Sequence, residues 1–289
     1  MPGKKRFDYP DLALCSIKHM RKNPVLFLPD LILFLITFFI TIIFYKYSGL
    51  SVLLSEILTV EARTELIKMF LSENWLQVLV SVLIFAFVTF ILGVSTEAIK
   101  FTMIKQVILK KKASLQKSWH DRNNYFWKIV LMKVMIFLLV LVAIFLLSIF
   151  SMTLFTISST FGGFSLTWLA SILALIVFVF FTLSLLFRYA ILFLENKSAG
   201  KTIKNSFIFF KKNKRHTFNV WLITTLIGIV FGILAATTSI YLAQLQVLTN
   251  VMIIIYIISF MSSFAAFAIR ILFTIWSQLF IFENYKNKP

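Results

Sequence analysis

The chain has very few residues that could build a catalytic or metal-binding cluster. It contains 1 Cys and 3 His among 289 residues, and a lone cysteine excludes an internal disulfide and a multi-cysteine metal site. We interpret Cys15 as a small apolar residue near the first apolar run, with S-acylation as the alternative. His19, His120 and His216 show no metal-ligand spacing. We therefore expect no cofactor, no metal ion and no enzymatic activity.

Charged residues are also scarce. They make up 14% of the chain, whereas 60% is hydrophobic, and soluble domains average about 25% charged residues. Too few polar groups are present to cover a water-facing surface. The mean hydropathy of +0.93 agrees with this composition. The composition predicts an integral membrane protein whose apolar side chains face lipid.

Acidic residues are fewer than basic ones. The chain has 11 Asp and Glu against 29 Lys and Arg, a net charge of +18. The basic residues lie in short segments beside apolar runs, where each attracts anionic lipid headgroups by about 1 kcal/mol. We therefore expect membrane lipids as partners and no nucleic acid, with a protein partner as the alternative.

Six apolar runs are long enough to cross a membrane, which takes about 20 residues. They cover residues 25–45, 76–98, 129–156, 168–188, 218–243 and 251–271. The runs are too uniformly apolar for barrel strands. The first run is too long for a cleavable signal and is interpreted as a retained anchor. The pattern predicts an all-α, polytopic bundle with one transmembrane domain over residues 1–289.

The distribution of basic residues predicts an orientation. Only Lys46, Arg63 and Lys68 fall on one side of the six runs, and the other 26 fall opposite. Because Lys and Arg are retained on the cytoplasmic side, we expect a multi-pass protein of the cell membrane with both termini cytoplasmic. Residues 62–70 of the external loop have apolar positions at helical spacing. They indicate a helix on the outer leaflet, or alternatively a cap over a cavity.

Three basic segments resemble one another. Ser16 and Ser206 each stand five residues before a Lys/Arg-Lys-Asn sequence, and Ser118 precedes Arg122 more loosely. Asp11, Ser114 and Thr202 are candidate N-caps. This similarity predicts three units, 11–104, 113–195 and 201–283, each a cytoplasmic amphipathic helix followed by a hairpin of two spans. The alternative is that any hairpin protein places basic helices before its spans. We define the basic face as Arg21, Lys22, Lys110, Lys111, Lys112, Trp119, Arg122, Lys211, Lys212, Lys214 and Arg215.

Ionisable residues in or near the spans are functional candidates because lipid disfavours them. They are Asp30, Glu97, Lys100, Arg188 and Arg270. Lys100 and Arg188 are expected to extend toward the headgroups, and Glu97 can pair with Lys100 on one helix face. Asp30 is expected either to cap a helix after Pro29 or to pair with Arg188 or Arg270. Either the last span ends at Arg270 and an interfacial helix follows, or the arginine faces the bundle interior.

Small residues in the fifth span predict a close helix contact. Gly228, Gly232 and Ala236 recur four residues apart, which lets another backbone approach. We interpret the stripe as the seam of a hairpin with the sixth span. The alternative is a homodimer seam.

Two short motifs carry a family resemblance. They run from Asn23-Pro24 through Leu28-Pro29-Asp30-Leu31 and from Ser198 through Phe207. The layout resembles uncharacterised six-helix membrane families related to the membrane domain of glycerophosphodiester phosphodiesterases. That resemblance implies a helical membrane module without assigned functional residues, and no phosphodiesterase catalytic domain is evident. We expect a non-enzymatic protein whose basic cytoplasmic face binds anionic lipid or a protein partner. The alternative is a transporter or lipid-moving protein for a hydrophobic substrate.

Overall fold

The computed structural model describes residues 8–48, 60–161, 165–247 and 252–287. These ranges contain helices and no strand, so the expected all-α class is confirmed. The helices are α1 (Tyr9–Lys22), α2 (Leu28–Tyr47), α3 (Val60–Ile108), α4 (Leu115–Phe161), α5 (Ser165–Ser184), α6 (Arg188–Leu194), α7 (Ala199–Lys212), α8 (Lys214–Val247) and α9 (Met252–Lys286). A 3₁₀ helix, Pro24–Phe27, connects α1 to α2.

Six helical stretches are long and apolar enough to cross a membrane. They are Pro24–Tyr47, Ser72–Ile108, Leu115–Thr156, Trp168–Leu194, Lys214–Leu242 and Phe260–Lys286. Each overlaps one of the six expected spans. A helix suits lipid because its backbone polar groups are satisfied within the segment. By length and composition, the chain is therefore a multi-pass helical membrane protein.

The best-packed part of the bundle lies at one end. We define the packed end by the buried residues of four segments. They are residues 94–108 of α3, residues 125–132 of α4, residues 185–194 (the turn after α5 and the whole of α6) and residues 271–285 of α9. Phe187, Phe193, Phe280 and Phe282 are fully buried there. Helix α1 covers part of it, since the Trp276 Nε1 atom donates to the Ala13 carbonyl at 3.4 Å. The helices are thus held together most firmly at the end where α1 and α7 lie.

The opposite halves of the long helices leave their apolar side chains uncovered. Phe137, Phe145 and Phe155 of α4 and Phe178 of α5 are each more than half exposed. Leaving apolar surface in water costs about 25 cal/mol per Å². These positions are suited to lipid, which agrees with the spans that contain them.

The three basic segments differ in their connection to the following span. Helices α1 and α7 are separate from α2 and α8, and Asn23 and Asn213 end them with similar backbone angles. The middle segment is instead the beginning of α4, which runs unbroken from Leu115 to Phe161. The expectation of a separate middle surface helix is therefore wrong. Ser114 precedes α4 as expected, but Asp8 and Ser198, rather than Asp11 and Thr202, precede α1 and α7.

Helix α9 bears out neither interpretation of Arg270 in full, since the arginine is exposed on the side of the helix. It is continuous from Met252 to Lys286, so the span does not end at Arg270. Ile275, Leu279 and Phe282, beyond the arginine, are buried in the core. The expected interfacial helix after Arg270 is therefore wrong, because those apolar residues find protein partners at the packed end.

A kink at Asn74 divides α3. Asn74 has non-helical angles (φ −118°, ψ 18°), and its Nδ2 atom donates to the Phe70 carbonyl at 3.2 Å. The kink separates helical residues 60–73, which include the expected external helix at 62–70, from the span that follows. Its placement on the outer leaflet stays a prediction.

Candidate functional site

Asp30 and Lys100 form an ion pair between α2 and α3. The Lys100 Nζ atom lies 2.9 Å from Asp30 Oδ1 and 3.2 Å from Oδ2. The side chain of Lys100 is 8% exposed and that of Asp30 is 13% exposed. Asp30 lies in the first turn of α2, whose N-cap position is Phe27. The expected capping role of Asp30, its pairing with Arg188 or Arg270, and the extension of Lys100 toward headgroups are therefore wrong.

Glu97 is held by two residues from other helices. Its Oε1 atom accepts from Lys133 Nζ of α4 at 2.9 Å, and its Oε2 atom accepts from the Tyr189 hydroxyl of α6 at 3.0 Å. The expected pairing of Glu97 with Lys100 along one helix face does not form. Each acid instead joins two segments of the chain, so the ion pairs tie α2 to α3 and α3 to α4.

Arg188 contacts residues next to it in the sequence. The chain turns at residues 185–187 between α5 and α6, and Arg188 Nη1 donates to the Leu185 carbonyl at 3.0 Å. The guanidinium also lies 4.9 Å from the ring centre of Tyr189, a cation–π contact. Arg188 therefore stabilises the junction of α5 and α6.

Arg270 lines two neighbouring cavities. The first, of about 560 Å³, lies between α8 and α9 beside Phe34 of α2 and includes Gly228 and Gly232. The second, of about 440 Å³, includes Asp30, Glu97 and Lys100. Both cavities share Phe34, Phe267 and Arg270 in their lining. Arg270 thus lines both an apolar space and a charged space.

The stripe of small residues on α8 is used unevenly. A Cβ atom on Gly228 would lie 2.9 Å from Phe273 Cζ of α9, so this glycine admits a close contact. A Cβ atom on Gly232 would meet nothing within 4 Å. Helices α8 and α9 pack as a hairpin. Gly228 therefore serves the seam, whereas Gly232 opens onto the apolar cavity and Ala236 lies one turn farther along α8.

The basic face remains available at the packed end. All of its residues are exposed except Arg122, which is half-buried and lies 4.6 Å from the ring centre of Trp119. Within the described ranges, the ion pairs are Lys100–Asp30, Lys133–Glu97 and His19–Glu283. None of them involves the basic face, so its positive charge is not neutralised by these carboxylates.

Cys15, His19 and Glu283 are the residues of the described chain that come close to a metal-ligand arrangement. Their ligand atoms lie within 4.8 Å of one another. His19 Nε2 is 3.2 Å from Glu283 Oε1, and Asn287 Nδ2 donates to Glu283 Oε2 at 3.3 Å. Burial, and next the nearby Glu283 carboxylate, raise the pKa of Cys15, which favours the neutral thiol over the metal-binding thiolate. We interpret the trio as a packing contact between α1 and α9.

Sequence reasoning missed Lys133 and Tyr189. Lys133 lies inside the third expected span, so the cost of a charge in lipid should have marked it. Tyr189 had no such signal, because its bond to Glu97 joins residues 92 positions apart. The side chains of Glu195 and Tyr285 also bond to each other across the packed end. Such pairs become visible only when the helices are packed.

The comparisons with known proteins give no further assignment. No family model, curated protein or solved structure matches the chain. The resemblance to six-helix families related to the phosphodiesterase membrane domain therefore stays a prediction.

Proposed function

We propose that this chain is a non-enzymatic integral membrane protein whose basic face binds anionic lipid headgroups at the cytoplasmic leaflet. The observation that carries the proposal is the basic face itself: nearly all of its residues are exposed, and no described carboxylate pairs with them. Each such residue near an anionic surface contributes about 1 kcal/mol. Both termini are cytoplasmic in this proposal, because most Lys and Arg lie on that side of the spans.

Two aromatic residues support lipid rather than protein as the partner. Trp119 is 58% exposed and Trp127 is 73% exposed, and both lie at the basic beginning of α4. Tryptophan is enriched at headgroup level because its ring is amphipathic. The exposed tryptophans therefore favour a membrane surface as the partner of this face.

The test measures lipid binding to the purified protein in neutral detergent. The protein is titrated with short-chain phosphatidylglycerol or phosphatidylcholine, and native mass spectrometry counts the bound lipids. The triple variant Lys211→Gln/Lys212→Gln/Lys214→Gln is expected to bind markedly less phosphatidylglycerol. The matched control, Lys46→Gln/Arg63→Gln/Lys68→Gln, removes three positive charges from the opposite end and is expected to bind as the wild type does. Equal binding of both lipids, or equal losses in both variants, contradicts the proposal.

A second candidate function is the movement of lipid between leaflets. The observation that favours it is the charged cavity beside the apolar one, with Arg270 lining both. A lipid crossing the membrane needs a path for its headgroup as well as for its chains. Reconstituted vesicles with a fluorescent lipid measure this directly: faster exchange than in protein-free vesicles supports movement, and equal rates exclude it.

We also infer that the three basic segments are copies of one unit. Ser16, Ser118 and Ser206 are all buried, at 0%, 0% and 2% exposure. Asn23 and Asn213 both donate from Nδ2 to the carbonyl four residues earlier. If the serines are equivalent, Ser16→Leu, Ser118→Leu and Ser206→Leu should each lower the melting temperature, because each lacks room for a larger side chain. If one of the three variants kept the wild-type melting temperature, its serine would not be equivalent to the other two, and its segment would not be a copy of the same unit.

A further inference from the structure

The charged cavity contains one positive charge, that of Arg270, which the described carboxylates do not pair with. Asp30 accepts from Lys100 at both oxygens, and Glu97 accepts from Lys133 at one oxygen and Tyr189 at the other. All four carboxylate oxygens therefore have donors from elsewhere. Among the described residues, no carboxylate lies within ion-pair distance of Arg270. The cavity therefore includes a guanidinium that neither carboxylate pairs with.

A guanidinium in apolar surroundings strongly favours an anion with two acceptor oxygens. A charged side chain that faces lipid is costly, and arginine binds phosphate through two parallel hydrogen bonds. Arg270 is exposed at the side of α9, so a molecule in the membrane can reach it. Within the membrane, the abundant molecule that carries a phosphate is a phospholipid.

The first cavity, between α8 and α9, supplies the apolar half of such a site. Gly232 and Ala235 leave space along α8, and Phe231, Phe267 and Phe273 form its aromatic walls. Its volume of about 560 Å³ falls in the usual range of ligand sites, about 300–1,000 Å³. The space adjoins Arg270 directly. An apolar chain placed there would lie beside a phosphate on the arginine.

We propose that the groove between α2, α8 and α9 holds one anionic phospholipid, with its phosphate on Arg270 and an acyl chain along Gly232 and Ala235. This inference rests on the proposed lipid-binding function and deepens it, because it assigns a single site inside the bundle in addition to the basic face. Asp30, Glu97 and Lys100 line the same charged cavity as Arg270. The two carboxylates are already paired, so they do not neutralise Arg270.

The experiment measures how much phosphatidylglycerol stays bound after the protein is washed at high salt. High salt removes lipid from exposed basic residues by screening, whereas a lipid in the groove is screened much less. We expect about one lipid per chain to remain on the wild type. Arg270→Gln should weaken retention about ten- to hundredfold, because it removes a charged hydrogen-bonding partner. Arg270→Lys, which keeps the charge, should retain an intermediate amount.

A second variant tests the apolar half without touching the charge. Gly232→Leu places a side chain in the space next to Gly232, and we expect it to reduce retention while Arg270 is intact. Gly93→Leu is the matched control, because a Cβ atom there also meets nothing within 4 Å and Gly93 lines neither cavity. Melting temperatures of all variants identify any that fail to fold. If Arg270→Gln folds poorly, the Gly232→Leu and Gly93→Leu comparison still decides the question.

The outcomes separate this site from the basic face. Loss of retention in Arg270→Gln and Gly232→Leu, with normal retention in Lys211→Gln/Lys212→Gln/Lys214→Gln, supports the groove. Wild-type retention in both groove variants overturns it, even if the triple variant loses low-salt binding and the proposed function stands. No lipid on the washed wild type also overturns it.

Discussion

The ion pair between Asp30 and Lys100 gives the sharpest energetic prediction. Lys100 Nζ lies 2.9 Å and 3.2 Å from the two Asp30 oxygens, with both side chains almost entirely buried. At about 3 Å and an effective dielectric constant of about 20, the attraction is about 5 kcal/mol. Desolvation of both groups offsets much of that attraction. Removal of one partner, however, leaves a buried charge uncompensated and costs about 3–5 kcal/mol.

The perturbation is a double-mutant cycle with Asp30→Asn, Lys100→Met and the double variant. Asp30→Asn leaves the Lys100 ammonium buried without its carboxylate, so we expect a loss of about 3 kcal/mol. The double variant contains neither charge and should be more stable than the sum of the single losses implies. We expect a coupling free energy of about 2 kcal/mol, within the range for residues in direct contact. The free energies of unfolding are measured by denaturation in mixed micelles, followed by tryptophan fluorescence.

Lys117→Met is the matched control for Lys100→Met. Lys117 is exposed near the beginning of α4 and takes part in no ion pair found among the described residues. Its substitution should change stability by less than about 0.5 kcal/mol. Strictly additive losses in the cycle, or equal effects of Lys100→Met and Lys117→Met, would refute the reasoning.

Three further predictions concern single positions. Gly232→Ala should stabilise α8 by up to about 1 kcal/mol through helix propensity. Gly228→Ala should be less stable than Gly232→Ala by about 1–3 kcal/mol, because its Cβ atom would meet Phe273. Equal unfolding free energies of the two variants would contradict this contact. Ser206→Ala should cost about 1 kcal/mol, since the Ser206 hydroxyl donates to the Ser184 carbonyl at 2.6 Å, and wild-type stability would show that this bond contributes nothing. Cys15 has a raised pKa, so less thiolate is present at a given pH, and alkylation at pH 8 should be slower than for an unstructured cysteine peptide; an equal or faster rate would contradict the assigned burial.

The spans were predictable because a long apolar run has few alternatives to a membrane helix. The all-α class and the six spans follow from residues such as those at 129–156, where polar side chains are sparse. The continuity of α4 was not predictable, because the basic residues around Arg122 resemble those of α1 and α7. The same helix begins in a basic segment and continues as a span, and nothing local marks a break.

Most of the charged residues in the spans were predictable, with Lys133 as the exception, but their partners were not. The cost of charge in lipid identified Asp30, Glu97 and Lys100 from their positions in or near the apolar runs. Their partners depend on which faces of α2, α3 and α4 meet. Helical periodicity shows which residues share a face, but it does not show which face of another helix packs against it. Glu97 and Lys100 do not pair with each other. They form the ion pairs Lys133–Glu97 and Lys100–Asp30 instead, and each of these pairs joins two helices.

Sidedness is tested most directly by labelling single cysteines in intact cells with a membrane-impermeant maleimide. The background variant is Cys15→Ser, which removes the one native cysteine. Lys212→Cys reports on the basic face and Lys46→Cys on the opposite end, and both positions are exposed. The account predicts labelling of Lys46→Cys in intact cells and of Lys212→Cys only after permeabilisation. The reverse pattern would place the basic face outside the cell and contradict its proposed contact with cytoplasmic anionic lipid.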